Sequence, residues 1–342
     1  MISLSFKPKQ TTKKLLSPLN NRAYEVIRNR FGIGDDLEKK TLETIGQKYG
    51  ITRERVRQIE NAALASIRKS DSFESEKESF DELKDIINNL GGILSEEDLF
   101  SNISKDKCIQ NHINFYLMLG DDFTKYKEDD DFKSRWSVDE DLAENIHSSL
   151  KNLYSNLSDE EIIPESELIS RFLDQLKDVS ENLKNEEILK RWLSMCKNIN
   201  CNPLGEWGRA DSPNVNVKGI RDYSFLAMKR HGSPMHFREV AKTIENIFSR
   251  KAHVATCHNE LIKDPRFVLV GRGTYCLKEW GYKPGIVRDV IKDILKTGGP
   301  LSKEEIIDKV MKERFLKKNT ILVNLQNSKY FKKTKNGLYT LA

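Results

Sequence analysis

Arg53, Glu54, Arg57 and Gln58 lie close together, with Arg53/Arg57 and Glu54/Gln58 each four positions apart. On a helix, that spacing stacks side chains on one face. In a DNA major groove, Arg reads guanine through O6 and N7, Gln reads adenine, and Glu accepts from cytosine N4. The chemistry open to this quartet is base-edge recognition; intrahelical ion pairing on a solvated face is the plain alternative. Thr52, Arg55 and Asn61 border the quartet and offer polar groups to phosphate.

Such a face needs helices to hold it. In the stretch Arg22–Phe31, Tyr24, Ile27 and Phe31 recur at helical spacing, and Gly32 and Gly34 end the pattern. A shorter helix follows over Thr41–Tyr49 with Leu42, Ile45 and Tyr49 on one side, then Gly50 supplies a tight turn. A third opens at Thr52, an N-cap type of residue, and runs to Arg68 with Val56, Ile59, Ala63 and Ile67 as its inward stripe. The order is that of a helix-turn-helix whose second helix carries the quartet.

The run Phe31-Gly-Ile, then Thr41-Leu-Glu-Thr-Ile-Gly, then Gly50-Ile-Thr-Arg-Glu-Arg-Val-Arg-Gln-Ile-Glu60 with Ala63-Leu64 resembles the fourth conserved region of primary bacterial sigma factors. The resemblance implies major-groove reading of the promoter's upstream (−35) element. It implies base or base-adjacent contacts by Arg53, Glu54, Arg57 and Gln58, with Thr52 and Arg55 nearer the phosphates. It also implies docking on RNA polymerase through the beta-subunit flap. The aromatic-rich melting domain of a complete sigma factor does not precede the motif; Lys7, Lys9, Lys13 and Lys14 do, as a basic arm over 1–20. The expectation is a partial, region 4-like protein.

Charge divides the chain. Residues 1–70 carry 15 Lys/Arg against 7 Asp/Glu, residues 71–217 carry 16 against 33, and residues 218–342 carry 26 against 12. Basic ends suit a polyanion, since each neutralised phosphate releases counterion, whereas the acidic middle repels one. Within that middle, residues 71–139 read as helix, helix, helix and β-hairpin, the winged-helix order; residues 140–217 are helical, as a degenerate copy. The stretch Lys84-Asp-Ile-Ile with Gly91-Gly-Ile-Leu-Ser-Glu-Glu recurs as Lys292-Asp-Ile-Leu with Gly298-Gly-Pro-Leu-Ser-Lys-Glu-Glu, an internal repeat of that unit. The fold class expected is mainly α with small β-wings, a helix-turn-helix (21–70) followed by tandem winged-helix units.

Residues 218–282 resemble the HARE-type helix-turn-helix domain, also found in the delta subunit of Gram-positive RNA polymerases. The resemblance rests on Pro234-Met-His-Phe-Arg-Glu-Val and Arg266-Phe-Val-Leu-Val-Gly-Arg-Gly-Thr-Tyr-Cys-Leu. That family is linked to transcription and to DNA modification or restriction. Arg272, between two glycines, is placed to reach phosphate, and Lys251, His253, Thr256, His258, Asn259 and Arg266 are further candidates. The last unit, 283–342, offers Lys317 and Lys318 at a helix start. Its wing offers Lys332, Lys333 and Lys335 beside the hairpin signal Asn336-Gly337.

No phosphate loop, GxSxG elbow or HExxH occurs, so an enzyme is not expected. Asp129-Asp-Asp131 lacks EF-hand spacing, and His253, Cys257 and His258 lack a fourth zinc ligand, so no metal and no cofactor is expected. The five scattered cysteines, the missing signal peptide and the missing apolar span predict a cytoplasmic protein with no membrane partner. Double-stranded DNA and RNA polymerase are the expected partners. A polymerase-bound delta-like interaction protein and a DNA-targeting subunit of a restriction or defence system remain the alternatives.

Overall fold

Helices α1 (Pro8–Leu15), α2 (Asn21–Phe31), α3 (Leu42–Tyr49) and α4 (Arg53–Arg68) occupy the N-terminal segment of a computed structural model that describes residues 2–34, 36–177, 179–282, 287–313, 317–334 and 336–342. Local chemistry sets their starts. Asn20 Oδ1 accepts from Ala23 N (2.9 Å), Thr41 Oγ1 from Thr44 N (3.1 Å) and Thr52 Oγ1 from Arg55 N (3.2 Å), each satisfying a first-turn donor that has no intrahelical acceptor. The chain folds as two units, residues 1–158 with 163–200 and residues 159–162 with 201–342.

In the first unit, α4 is followed by α5 (Asp71–Ser75), α6 (Lys77–Asn89), β1 (Ile93–Ser95), α7 (Glu96–Ile103), α8 (Lys107–Leu119), β2 (Thr124–Tyr126) and β3 (Arg135–Ser137). The strands form one antiparallel sheet in the order β1-β3-β2, with Trp136 opposite both Leu94 and Lys125. One hydrophobic core joins the helix-turn-helix to these elements: Leu15, Ile27, Phe31, Ala63 and Ile67 are buried with Leu83, Leu99, Phe115 and Trp136. Each fully buried Leu, Ile or Phe there contributes roughly 1.5–3 kcal/mol. Helices α9 (Glu140–Asn156), α10 (Glu165–Gln175) and α11 (Glu186–Met195) follow, with short strands β4 (Ile163–Pro164) and β5 (Ile199–Cys201), whereas β6 (Glu206–Arg209) falls within the second unit. The stretch 140–217, expected to be helical, therefore leaves helix at Met195, and Ile199 is extended.

The second unit repeats the element order seen over 77–137. Helix α12 (Ile220–His231), β7 (Met235–His236), α13 (Phe237–Phe248), α14 (Val254–Lys263), β8 (Phe267–Gly271) and β9 (Thr274–Leu277) form a set with sheet order β7-β9-β8. Helix α13 starts at Phe237 because Met235 and His236 pair with Tyr275 and Thr274. A separate core lies under α15 (Val287–Gly298), α16 (Lys303–Glu313), α17 (Lys318–Leu325), β10 (Phe331–Lys333) and β11 (Tyr339–Leu341). The two copies of the internal repeat behave alike. Ser95 caps α7 through Asp98 N (3.1 Å), and Ser302 Oγ accepts from Glu305 N (3.2 Å) while Leu301 bridges to Tyr339.

Candidate nucleic-acid interface

The inward side of α4 is Val56, Glu60, Ala63, Leu64 and Ile67. Val56 closes a small cluster with Val26 and Ile45, so α2, α3 and α4 meet at one point beside the larger core. The turn between α3 and α4 depends on two glycines. Gly50 has φ +66°, and a Cβ on Gly46 would stand 2.6 Å from the carbonyl oxygen of Ile51. Arg30 reaches from α2 to both α4 and the preceding loop, with Nε 3.3 Å from Glu60 Oε1 and Nη1 donating to Lys40 O (3.3 Å). Burial raises the Glu60 carboxyl pKa, and Arg30 offsets part of that rise.

With that face buried, Arg53, Glu54, Arg57 and Gln58 are all exposed on the other, together with Thr52, Arg55 and Asn61. The exposed residues are not independent. Arg57 forks onto Glu54, Nε to Oε2 at 2.9 Å and Nη2 to Oε1 at 2.7 Å, and this pairing holds the Glu54 carboxyl below its usual range and raises the guanidinium. Arg55 Nη1 donates to Gln58 Oε1 at 3.1 Å. Arg53 makes no side-chain hydrogen bond among the described residues. The Thr52 hydroxyl accepts as the cap and keeps its own proton to donate. The result is a convex strip of donors and acceptors without a carboxylate excess, on a rigid helix opening at a tight turn.

Four buried side chains behind this strip, Asn111, Thr12, His112 and Tyr116, escape the reading of residue types. Asn111 of α8, fully buried, donates through Nδ2 to Gly32 O and Leu37 O, at 2.8 Å each, and so ties down the loop between α2 and α3. Thr12 of α1 meets His112 Nδ1 (2.7 Å) and Tyr116 Oη (2.8 Å). Their signal was a polar pair, Asn111-His112, next to the apolar run that ends the helix at Leu119. Burial depresses the His112 pKa to about 4, with Lys9 adding to the effect.

In the second unit, Arg272 is exposed at the β8–β9 turn, and Lys317, Lys318, Lys332 and Lys333 are exposed on the last unit. Lys335 lies outside the described residues. Arg266 is placed differently from a surface ligand to DNA. Its guanidinium is held by Asp264 Oδ2 (2.7 Å), Asp222 Oδ1 (2.9 Å) and Asn214 Oδ1 (3.1 Å). His258, half-buried, stacks on Phe237 with centroids 4.2 Å apart, and Cys257 is buried beside Ser224, so each side chain already has a packing partner. Asp129, Asp130 and Asp131 are a turn in which Asp129 accepts from Phe132 N (2.7 Å) and pairs with Arg135 (3.1 Å). No helix among the described residues is long and apolar enough to cross a membrane.

Residues 15–69 match the family model described as Sigma-70, region 4. A stretch of 60 residues is 48% identical to the RNA polymerase sigma factor RpoD of Helicobacter pylori, covering 18% of this chain and 9% of that protein. A 60-residue stretch is 47% identical to the RNA polymerase sigma factor SigA of a Nostoc species, covering 18% of this chain and 15% of that protein. The chain thus spans less than a fifth of the length of the relatives it matches. The helix-turn-helix of α2–α4 is a sigma region 4-like, DNA-binding type of domain.

Proposed function

We propose that this protein is a sequence-specific DNA-binding transcription factor whose α4 enters the major groove of a −35-like element. Arg53, Glu54, Arg57 and Gln58 are its base readers; Thr52, Arg55 and Asn61 hold the neighbouring phosphates. It acts in the cytoplasm alongside RNA polymerase, through the flap of the beta subunit, as a sigma region 4-like factor and not as an enzyme. The observation that carries this reading is the joint exposure of all four readers on the face of α4 opposite its buried stripe, inside the segment similar to sigma region 4. The repeated helix-strand-helix-helix-strand-strand sets are tandem winged helices, with the one over 218–282 of HARE type. Their cations Arg272, Lys317, Lys318, Lys332, Lys333 and Lys335 add sequence-independent grip.

The test is selection of bound sequences from random duplex by the full chain. Recovery of a TTGAC-like motif that Arg53→Ala abolishes is the expected result; binding without any motif overturns it. A second reading has its own support. Helix α14 exposes Val254 (42%) and Ile262 (61%), two apolar side chains better suited to protein than to phosphate, which favours a delta-like, polymerase-bound interaction role for that unit. Capture of RNA polymerase without duplex, lost on Ile262→Lys, selects that reading.

A further inference from the structure

We infer that the C-terminal unit carries a second phosphate-binding face, built by Arg288, Lys292 and Lys329 around the ring of Tyr330, and that its ligand is the backbone of duplex nucleic acid. The inference rests on the DNA-binding reading above and adds a site apart from the wing lysines. Arg288 and Lys292 lie four apart on α15, where like charges repel and weaken a helix. Both approach one aromatic ring, Arg288 Cζ at 4.5 Å and Lys292 Nζ at 4.4 Å from the Tyr330 centroid, and Lys329 Nζ stands at 5.9 Å. The ring's negative face partly offsets the repulsion without neutralising the charges.

The platform is fixed. Tyr330 N donates to Asn327 O (3.0 Å), its carbonyl accepts from Ala342 N (3.0 Å), and its ring packs against the core that holds Phe331. Counter-charge is sparse: Asp289 approaches Arg288 at 3.4 Å, and among the described residues no carboxylate pairs with Lys292 or Lys329. Three cations held on a rigid aromatic base, with one carboxylate between them, make a site for anionic oxygens. A segment with 26 Lys/Arg against 12 Asp/Glu favours a polyanion over an isolated anion. This site follows the C-terminal end of α17, whereas Lys317 and Lys318 sit at its start, so the two sets of cations are tested separately.

The experiment measures binding of the full chain to mixed-sequence duplex by fluorescence anisotropy at several salt concentrations. It compares the parent with Arg288→Gln/Lys292→Gln, Arg288→Lys/Lys292→Arg and Lys332→Gln/Lys333→Gln. For the first variant, the slope of log K against log salt is expected to fall by roughly 0.9 for each cation lost, while the charge-keeping pair retains the parent slope. Thermal melting of each variant separates loss of fold from loss of contact. A reduced slope in the wing variant with an unchanged slope in Arg288→Gln/Lys292→Gln overturns the site and leaves the DNA-binding reading standing. Unchanged slopes in both overturn that reading for the whole C-terminal unit. Loss of an acidic protein partner with no change in duplex binding also overturns the site.

Discussion

The carboxamide of Asn111 and the backbone carbonyl of Gly32, 79 residues apart in sequence, are joined by a buried hydrogen bond of 2.8 Å. The same nitrogen serves Leu37 O, so one side chain of the acidic segment fixes the loop that leads into α3. Asn111→Leu leaves both carbonyls unpaired in the core and is expected to destabilise the first unit by about 1–3 kcal/mol for each orphaned group. Thermal unfolding followed by circular dichroism measures it; an unchanged melting temperature would mean that the loop is held by other contacts.

At the base-reading strip, Arg53→Ala or Gln58→Ala should cost about 1–3 kcal/mol of discrimination at a single base position. Glu54→Gln tests the fork differently, because it releases Arg57 from its carboxylate while leaving a hydrogen-bond acceptor. Titrations against a selected site and its single-base variants check both. Equal losses on selected and random duplex for Arg57→Ala would contradict placement of that residue in the groove.

The turn glycines predict opposite behaviour. Gly50→Ala meets open space and pays only for its left-handed backbone, about 1–2 kcal/mol. Gly46→Ala drives a methyl group against the Ile51 carbonyl, so α3 and α4 must separate, and specific binding should be lost at temperatures where the chain is still folded. Binding assays on the two folded variants distinguish the cases.

Acid should unfold the first unit through two histidines. His112 and His147 are both held near pKa 4 by burial, the latter also by Arg135, whose Nε donates to His147 Nε2 at 2.6 Å. His147 faces Asp129 and Lys151 as well, and His112 faces Lys9 and Asp106. The folded pKa lies below the unfolded value of 6.5, so the unfolded chain binds more protons between the two. Stability is complete above about pH 6.5 and declines as pH falls towards about 4. Urea midpoints across that window should fall less steeply in His112→Gln than in the parent; identical pH profiles would dismiss the contribution of His112.

Arg266 predicts a stability effect without a DNA effect. Removing its guanidinium leaves Asp222, 2% exposed, as a buried carboxylate whose remaining support comes mainly from the Lys218 and Gly219 amides. Arg266→Ala should cost about 3–5 kcal/mol. At temperatures where the chain is still folded, it should leave the salt slope for random duplex unchanged; a lower slope would return Arg266 to the phosphate contacts.

The sequence revealed what depends on local period and capping. Thr52 caps the helix that its position announced, Thr41, Ser95 and Ser302 cap theirs in the same way, and the outward quartet on α4 follows directly from its inward stripe. It did not reveal pairings decided by distant packing. Met235-His236 has helical company on both sides, yet it is extended because Tyr275 and Thr274 offer a ladder. Arg266 has the look of a wing cation in the sequence, but the fold brings Asp222, 44 residues upstream, to its guanidinium. Asn111 is one of several polar residues in its helix, and only the fold shows that it is the one fully buried against the carbonyls of Gly32 and Leu37.

The core that runs from Leu15 through Ile67 to Trp136 makes the acidic segment a thermodynamic reporter for an event it does not touch. A ligand bound to the native state alone adds about 2.7 kcal/mol at a hundredfold excess over Kd. Where two segments unfold together, that increment is shared by both. Duplex bound at Arg53 and Gln58 should therefore slow amide exchange in α6 and α8, although neither helix carries a base reader, and a cut near residue 70 would sever the reporter from its signal.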